Sequence, residues 1–171
     1  TPSLVDENAG NFCTMNALNG LGTLSEGNMT VLSTVANWQS RGGTVAVSSG
    51  KWYWEADVIT RGSYMQVGMV GTDVFFQATD NIQEWATGYG YYSYNGNKVN
   101  NGSHSSYGAT YTTGDLIGIA LDLDAGTIEF YKNNVSQGVA FTGLSGEFTP
   151  AFSVYGASGK VTANFGQRPF K

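Results

Sequence analysis

Glu55 and Asp57, two residues apart in Glu55-Ala56-Asp57-Val58-Ile59-Thr60, are the side chains best spaced for chemistry. On an extended strand they share one face. Two carboxylates flanking a glycosidic bond can hydrolyse it, and a retaining enzyme needs them about 5–5.5 Å apart. The remaining candidates are thinner. His104 is the one histidine and lies in a polar stretch, Asn101 to Ser106, read as a flexible loop. A serine triad would require it to be oriented by an acid and aimed at a serine on a strained elbow. The chain has no G-x-S-x-G. Zinc needs clustered His and Cys, and the chain holds one of each, His104 and Cys13, far apart. Cys13 reads as a small buried hydrophobe in a short strand. Asp122 and Asp124 offer oxygen ligands for calcium, but no further carboxylate stands in register with them. No glycine loop with a following lysine is present to cradle phosphate. Neither a catalytic residue, a metal site nor a cofactor is expected.

What remains is a binding surface. Tyr and Trp interleaved with Asn, Ser and Gly between Trp85 and Gly96 is the composition of adaptable paratopes, where rigid aromatics give contact area at low entropic cost. The candidate ligand-binding residues are Trp85, Gln83 and Tyr92, together with Trp38 and Arg41. The Trp85 indole is expected to be exposed.

The elements that must position these residues are strands. From Gly114 to Gly138 the chain alternates with period two: Ile117, Ile119, Leu121 and Leu123 on one face, then Ile128 and Phe130 after Asp124-Ala125-Gly126. That is a hairpin with a buried face, and it needs a larger sheet to be stable. Trp52, Trp54, Ala56 and Val58 repeat the alternation and read as core, with Lys51, Tyr53, Glu55 and Asp57 on a polar outer face. Met65, Val67 and Met69 follow. Asn95-Gly96 and Asn101-Gly102 are hairpin-turn signals. Trp38 to Gly43 reads as a loop, and Pro150 as a strand start or edge. No helical period persists over three turns, so the chain is all-β, a two-sheet antiparallel β-sandwich.

Composition sets bounds. At 171 residues, residues 1–171 form one domain, with 1–10 as a linker or arm. Charged residues are 12% and the formal net charge is -5. Eight scattered Lys and Arg make no basic stripe for nucleic acid. No apolar run reaches membrane-spanning length, so no membrane insertion is expected. A chain opening Thr1-Pro2 is expected to be processed or excised from a longer protein.

The run GDLIGIALDLDAGTIEFYKN from Gly114, followed by GVAF at Gly138 to Phe141, resembles the SPRY domain, a concanavalin-like β-sandwich. SSGKWYWEADV at Ser48 to Val58, VGMVG at Val67 to Gly71, GYGYYSYNGNKVNNG at Gly88 to Gly102 and Asn164-Phe165-Gly166 carry the same resemblance, which implies that Tyr89, Tyr91 and Tyr94 are framework aromatics. Concanavalin-like folds also host glycoside hydrolases, one family of which carries E-x-D-x-x-E on a strand; here Thr60 stands at the last position. NFCTMNALN at Asn11 to Asn19 resembles the lead-in to SPRY-type modules of phage structural and tail proteins. The resemblances imply a non-enzymatic binding module of a phage virion, on a tail or fibre, attaching to a host-surface glycan or protein. The alternative is a structural or decoration module contacting other virion subunits, and a concanavalin-fold glycoside hydrolase ranks third.

Overall fold

The computed structural model describes residues 12–77 and 79–171; the linker expected over residues 1–10 lies outside them. Fourteen strands are present among the described residues: β1 (Met15–Gly20), β2 (Thr23–Ser25), β3 (Thr30–Leu32), β4 (Trp38–Gly43), β5 (Lys51–Thr60), β6 (Tyr64–Gly71) and β7 (Tyr89–Tyr92), then β8 (Asn97–Asn100), β9 (Ser103–Ser106), β10 (Leu116–Asp122), β11 (Thr127–Lys132), β12 (Val135–Phe141), β13 (Phe148–Tyr155) and β14 (Lys160–Asn164). They form two seven-stranded sheets. Sheet A runs β1-β4-β13-β6-β7-β8-β9 and sheet B runs β12-β11-β10-β5-β14-β3-β2. Neighbouring strands pair antiparallel throughout. The all-β sandwich read from the sequence is the observed architecture.

The β10–β11 hairpin has the register its period demands, with Ile117 opposite Lys132 and Leu121 opposite Ile128. Ile117, Ile119, Leu121, Ile128 and Phe130 are all buried between the sheets. Asp122 closes the turn by accepting from the N–H groups of Asp124 and Ala125 and by pairing with Lys51. The Asp124 carboxylate accepts from the N–H of Gly50. From sheet A, Met65, Val67 and Met69 of β6 and Phe152 and Val154 of β13 fill the other half of the core.

Four expectations need correction. Trp38 to Gly43 is strand β4, hydrogen-bonded between β1 and β13, and not a loop. Its sequence shows no alternation because Ser40 and Arg41, which point to opposite sides, are both buried. His104 sits in strand β9, opposite Val99 of β8, and not in a flexible loop. Pro150 lies inside β13, a central strand, opposite Met69. Trp52 is 47% exposed although it shares a side with Trp54, Ala56 and Val58; it stands at the open end of the sandwich, on the rim of an apolar cleft of about 240 Å³ with Val45, Phe148 and Phe165.

The outer faces of both sheets are partly covered, which is why polar residues there are buried. On sheet B, Glu55 is only 1% exposed. The segment after β14 folds back over it: Asn164 and the backbone N–H of Lys171 donate to its carboxylate, and Phe170 meets Tyr53 edge-on at 4.8 Å. Arg168 and Lys171 both pair with Asp57. On sheet A, Val74, Phe76 and Ile82 pack on Val70 and Ala151 and form a second apolar cluster. Gly90 eases this approach, since a Cβ there would lie a tight 3.1 Å from both Ile82 and Val99 methyls.

Candidate functional site

Beside that covering segment, one part of the outer face of sheet A stays open. Along β13 the side chains alternate, with Phe152 and Val154 inward and Tyr155 outward. Pairing places Tyr155 opposite Trp38 of β4 on one side and Tyr64 of β6 on the other. Tyr92, at the end of β7, lies opposite Gln66, one tier away. Tyr94 follows in the turn after β7. The period-two pleat therefore puts five aromatic rings on one surface.

Their geometry is that of a continuous platform. Trp38 meets Tyr155 edge-on at 5.4 Å, Tyr155 meets Tyr64 at 5.4 Å, and Tyr64 meets Tyr94 edge-on at 5.3 Å. Tyr92 touches Trp38, Tyr64 and Tyr94 at 6.0–6.3 Å and takes the His104 ring edge-on at 5.6 Å. Tyr94 is 58% exposed, and the other four are half-buried. Such offset and edge contacts are the favoured arrangements of aromatic quadrupoles and make the surface stiff. Burial, helped by the neighbouring Tyr64 and Tyr94 hydroxyls, pushes the Tyr92 hydroxyl up to about 12, so it is a proton donor at neutral pH.

The polar atoms of these rings differ from those of the core tyrosines. Tyr91 donates to the Ala109 carbonyl, Tyr107 to that of Gly138, and Tyr111 to those of Met65 and Tyr91. Among the described residues, the hydroxyls of Tyr64, Tyr92, Tyr94 and Tyr155 and the indole N–H of Trp38 have no such partner. Rings with free donors can stack on an apolar group while binding the carbonyls beside it.

The sequence-derived site residues divide on this geometry. Trp38 and Tyr92 belong to the platform. Gln83 stands at its margin, its side-chain carbonyl accepting from the buried Gln66 amide and its backbone N–H donating back to it. Trp85 is half-buried against the second apolar cluster, which corrects the expectation of an exposed indole; it follows a turn capped by Asn81 and Glu84. Arg41 points the other way. Its guanidinium donates to the carbonyls of Asn16, Ala17 and Gly22 at 3.2, 2.8 and 2.8 Å. Burial without a carboxylate partner lowers its pKa below the ordinary guanidinium value. Tyr64 and Tyr155 were missed, because only strand pairing reveals that they share a tier with Trp38. Tyr94, read as framework, is the most exposed ring of the five.

Comparison with known proteins agrees with the sandwich. The SPRY domain family model matches residues 51–168. A Ran-binding proteins 9/10 homolog of Drosophila melanogaster is 34% identical over 128 residues, 72% of this chain and 13% of its own length. Ran-binding protein 9 of Homo sapiens is 32% identical over 129 residues, 74% of this chain and 17% of its own. The chain thus spans less than a fifth of either relative. The solved SPRY domain of human HERC1 superposes with a TM-score of 0.78 at 22% identity, covering 91% of this chain and 99% of that one.

These relatives are animal proteins, and they overturn the phage reading. A tail or fibre role, attachment to a host-surface glycan, virion subunits as partners, decoration of a virion and a virion location all fall with it. The expectation rested on the short stretch Asn11 to Asn19, of which only Phe12 onward is described; the longer match from residue 51 outweighs it. With that match and relatives above 30% identity over most of its length, this chain belongs to the SPRY domain family.

Proposed function

We propose that the chain is a non-catalytic protein-interaction module that captures an extended segment of a partner protein on the aromatic platform. The observation that supports it is the meeting of Trp38, Tyr64, Tyr92, Tyr94 and Tyr155 on one uncovered face, with their donors unpaired among the described residues. Trp38 lies 6.5 Å from Tyr64, and Tyr64 5.3 Å from Tyr94, so the platform reaches as far as about three to four residues of extended chain at roughly 3.3 Å each. The named relatives are binding proteins, which favours the same class. The carboxylates that could have served hydrolysis are engaged elsewhere: Glu55 with Asn164 and Lys171, Asp57 with Arg168 and Lys171.

The test is selection from a random-peptide display library, followed by titration of the enriched peptides. They should compete with one another for one surface, with affinities in the micromolar range, about -8 kcal/mol. Trp38→Ala and Tyr94→Ala should each weaken them by at least tenfold. Peptides indifferent to both substitutions would overturn the assignment of the site.

A further inference from the structure

Seven of the eight Lys and Arg side chains are committed within the fold. Lys51, Lys132, Lys160, Arg168 and Lys171 pair with carboxylates. Lys98 donates to the Ala140 carbonyl, and Arg41 to its three carbonyls. The eighth, Arg61, has no side-chain partner among the described residues, although it is half-buried. A guanidinium carries five donors in a planar fork suited to a carboxylate, so an unpaired one beside a binding surface is informative.

Its position is set by the backbone. Arg61-Gly62-Ser63 is the turn between β5 and β6, immediately before Tyr64. Gly62 has φ +70, and a Cβ there would sit 2.6 Å from the Tyr155 carbonyl oxygen. Only glycine lets this turn lie so close to the end of β13, where Ser63 N–H donates to that same carbonyl at 2.9 Å. From the other side the Arg61 N–H donates to the Thr113 hydroxyl at 3.1 Å. The turn that carries Arg61 is thereby held at the edge of the aromatic tier, and the Arg61 charge acts on the Tyr92 hydroxyl, where it opposes the upward push of burial.

We propose that Arg61 reads a carboxylate, so that the segment taken by the platform is acidic: an Asp or Glu side chain pairs with Arg61 while its neighbours lie across Tyr64, Tyr155 and Trp38. This rests on the platform being the binding site. The chain's net charge of -5 works against an acidic partner at long range, so the attraction is local and acts within about one Debye length, roughly 10 Å at 0.1 M salt.

The experiment repeats the peptide selection with the wild-type chain and with Arg61→Gln and Arg61→Lys, checking each variant by thermal melting. Wild-type selection should enrich an Asp or Glu at one fixed position. Replacing that residue by Asn or Gln, or the protein's Arg61 by Gln, should weaken binding about tenfold, the factor for a charge-assisted bond of about 1.4 kcal/mol. The two changes together should cost little more than either alone, and Arg61→Lys should restore part of the loss. Peptides that depend on Trp38 and Tyr94 but show no acidic position, or bind Arg61→Gln unchanged, overturn this proposal and leave the platform standing. Peptides indifferent to Trp38 and Tyr94, or none enriched at all, overturn both.

Discussion

Arg41→Met keeps most of the side-chain volume and removes the guanidinium that joins β4 to the β1–β2 segment. Arg41 is 9% exposed and donates to Asn16, Ala17 and Gly22 carbonyls. A hydrogen bond from a charged donor contributes about 1.5–3 kcal/mol, so three of them set a gross loss of roughly 5–9 kcal/mol. Against this stands the desolvation of an unpaired cation, which costs several kcal/mol and is relieved by Met. The difference is a net destabilisation of about 2–4 kcal/mol, since the carbonyls left behind reach water only in part. At about 2–4 °C per kcal/mol for a chain of this size, melting should fall by roughly 5–15 °C. Urea unfolding followed by tryptophan fluorescence measures the change, and the m-value should stay constant. A loss below about 1 kcal/mol would refute the reasoning. So would an unchanged melting temperature with selective loss of peptide binding, because Arg41 would then face a ligand.

The other predictions use the same measurements. Leu121→Ala, at 2% exposure in the hairpin, should cost roughly 2–5 kcal/mol, whereas Tyr94→Ala should change stability by no more than about 0.5 kcal/mol. Trp85→Ala should lower the melting temperature through lost contact with the second apolar cluster; an unchanged melt would restore the exposed-indole reading. Removing Arg168–Lys171 should destabilise the fold by uncovering Glu55 and Tyr53, and a truncated chain as stable as the full one would contradict that role. Tyr53, Tyr92 and Tyr107 are each raised from 10 to about 12, chiefly by burial. A raised folded pKa means stability is fully present below pH 10 and is lost as pH rises towards about 12; spectrophotometric titration should show these phenols ionising late, and ionisation near 10 in the folded chain would refute it.

The central hairpin was legible in the sequence because Ile117, Ile119, Leu121, Ile128 and Phe130 alternate with smaller or polar residues, and a period of two has one physical meaning. Turns at Asn95-Gly96 and Asn101-Gly102 were legible because Gly96, Asn101 and Gly102 take positive φ. Sandwich architecture followed from strands with no helices between them. Alternation is a guide only where one face meets water, and both sheets break that condition. Ser40, Gln66 and Ser153 are buried beneath the segment holding Ile82, and Glu55 beneath Lys171, so β4 looked like a loop and β5 seemed to have a solvated face. The platform is harder still, since Trp38, Tyr64, Tyr92, Tyr94 and Tyr155 span more than two thirds of the chain and are joined only by strand pairing. Which aromatics face water, and which cation among eight stands unpaired, are decided by contacts between distant residues; local pattern determined the alternating strands, and tertiary packing alone decided β4, β9 and what the sheets present.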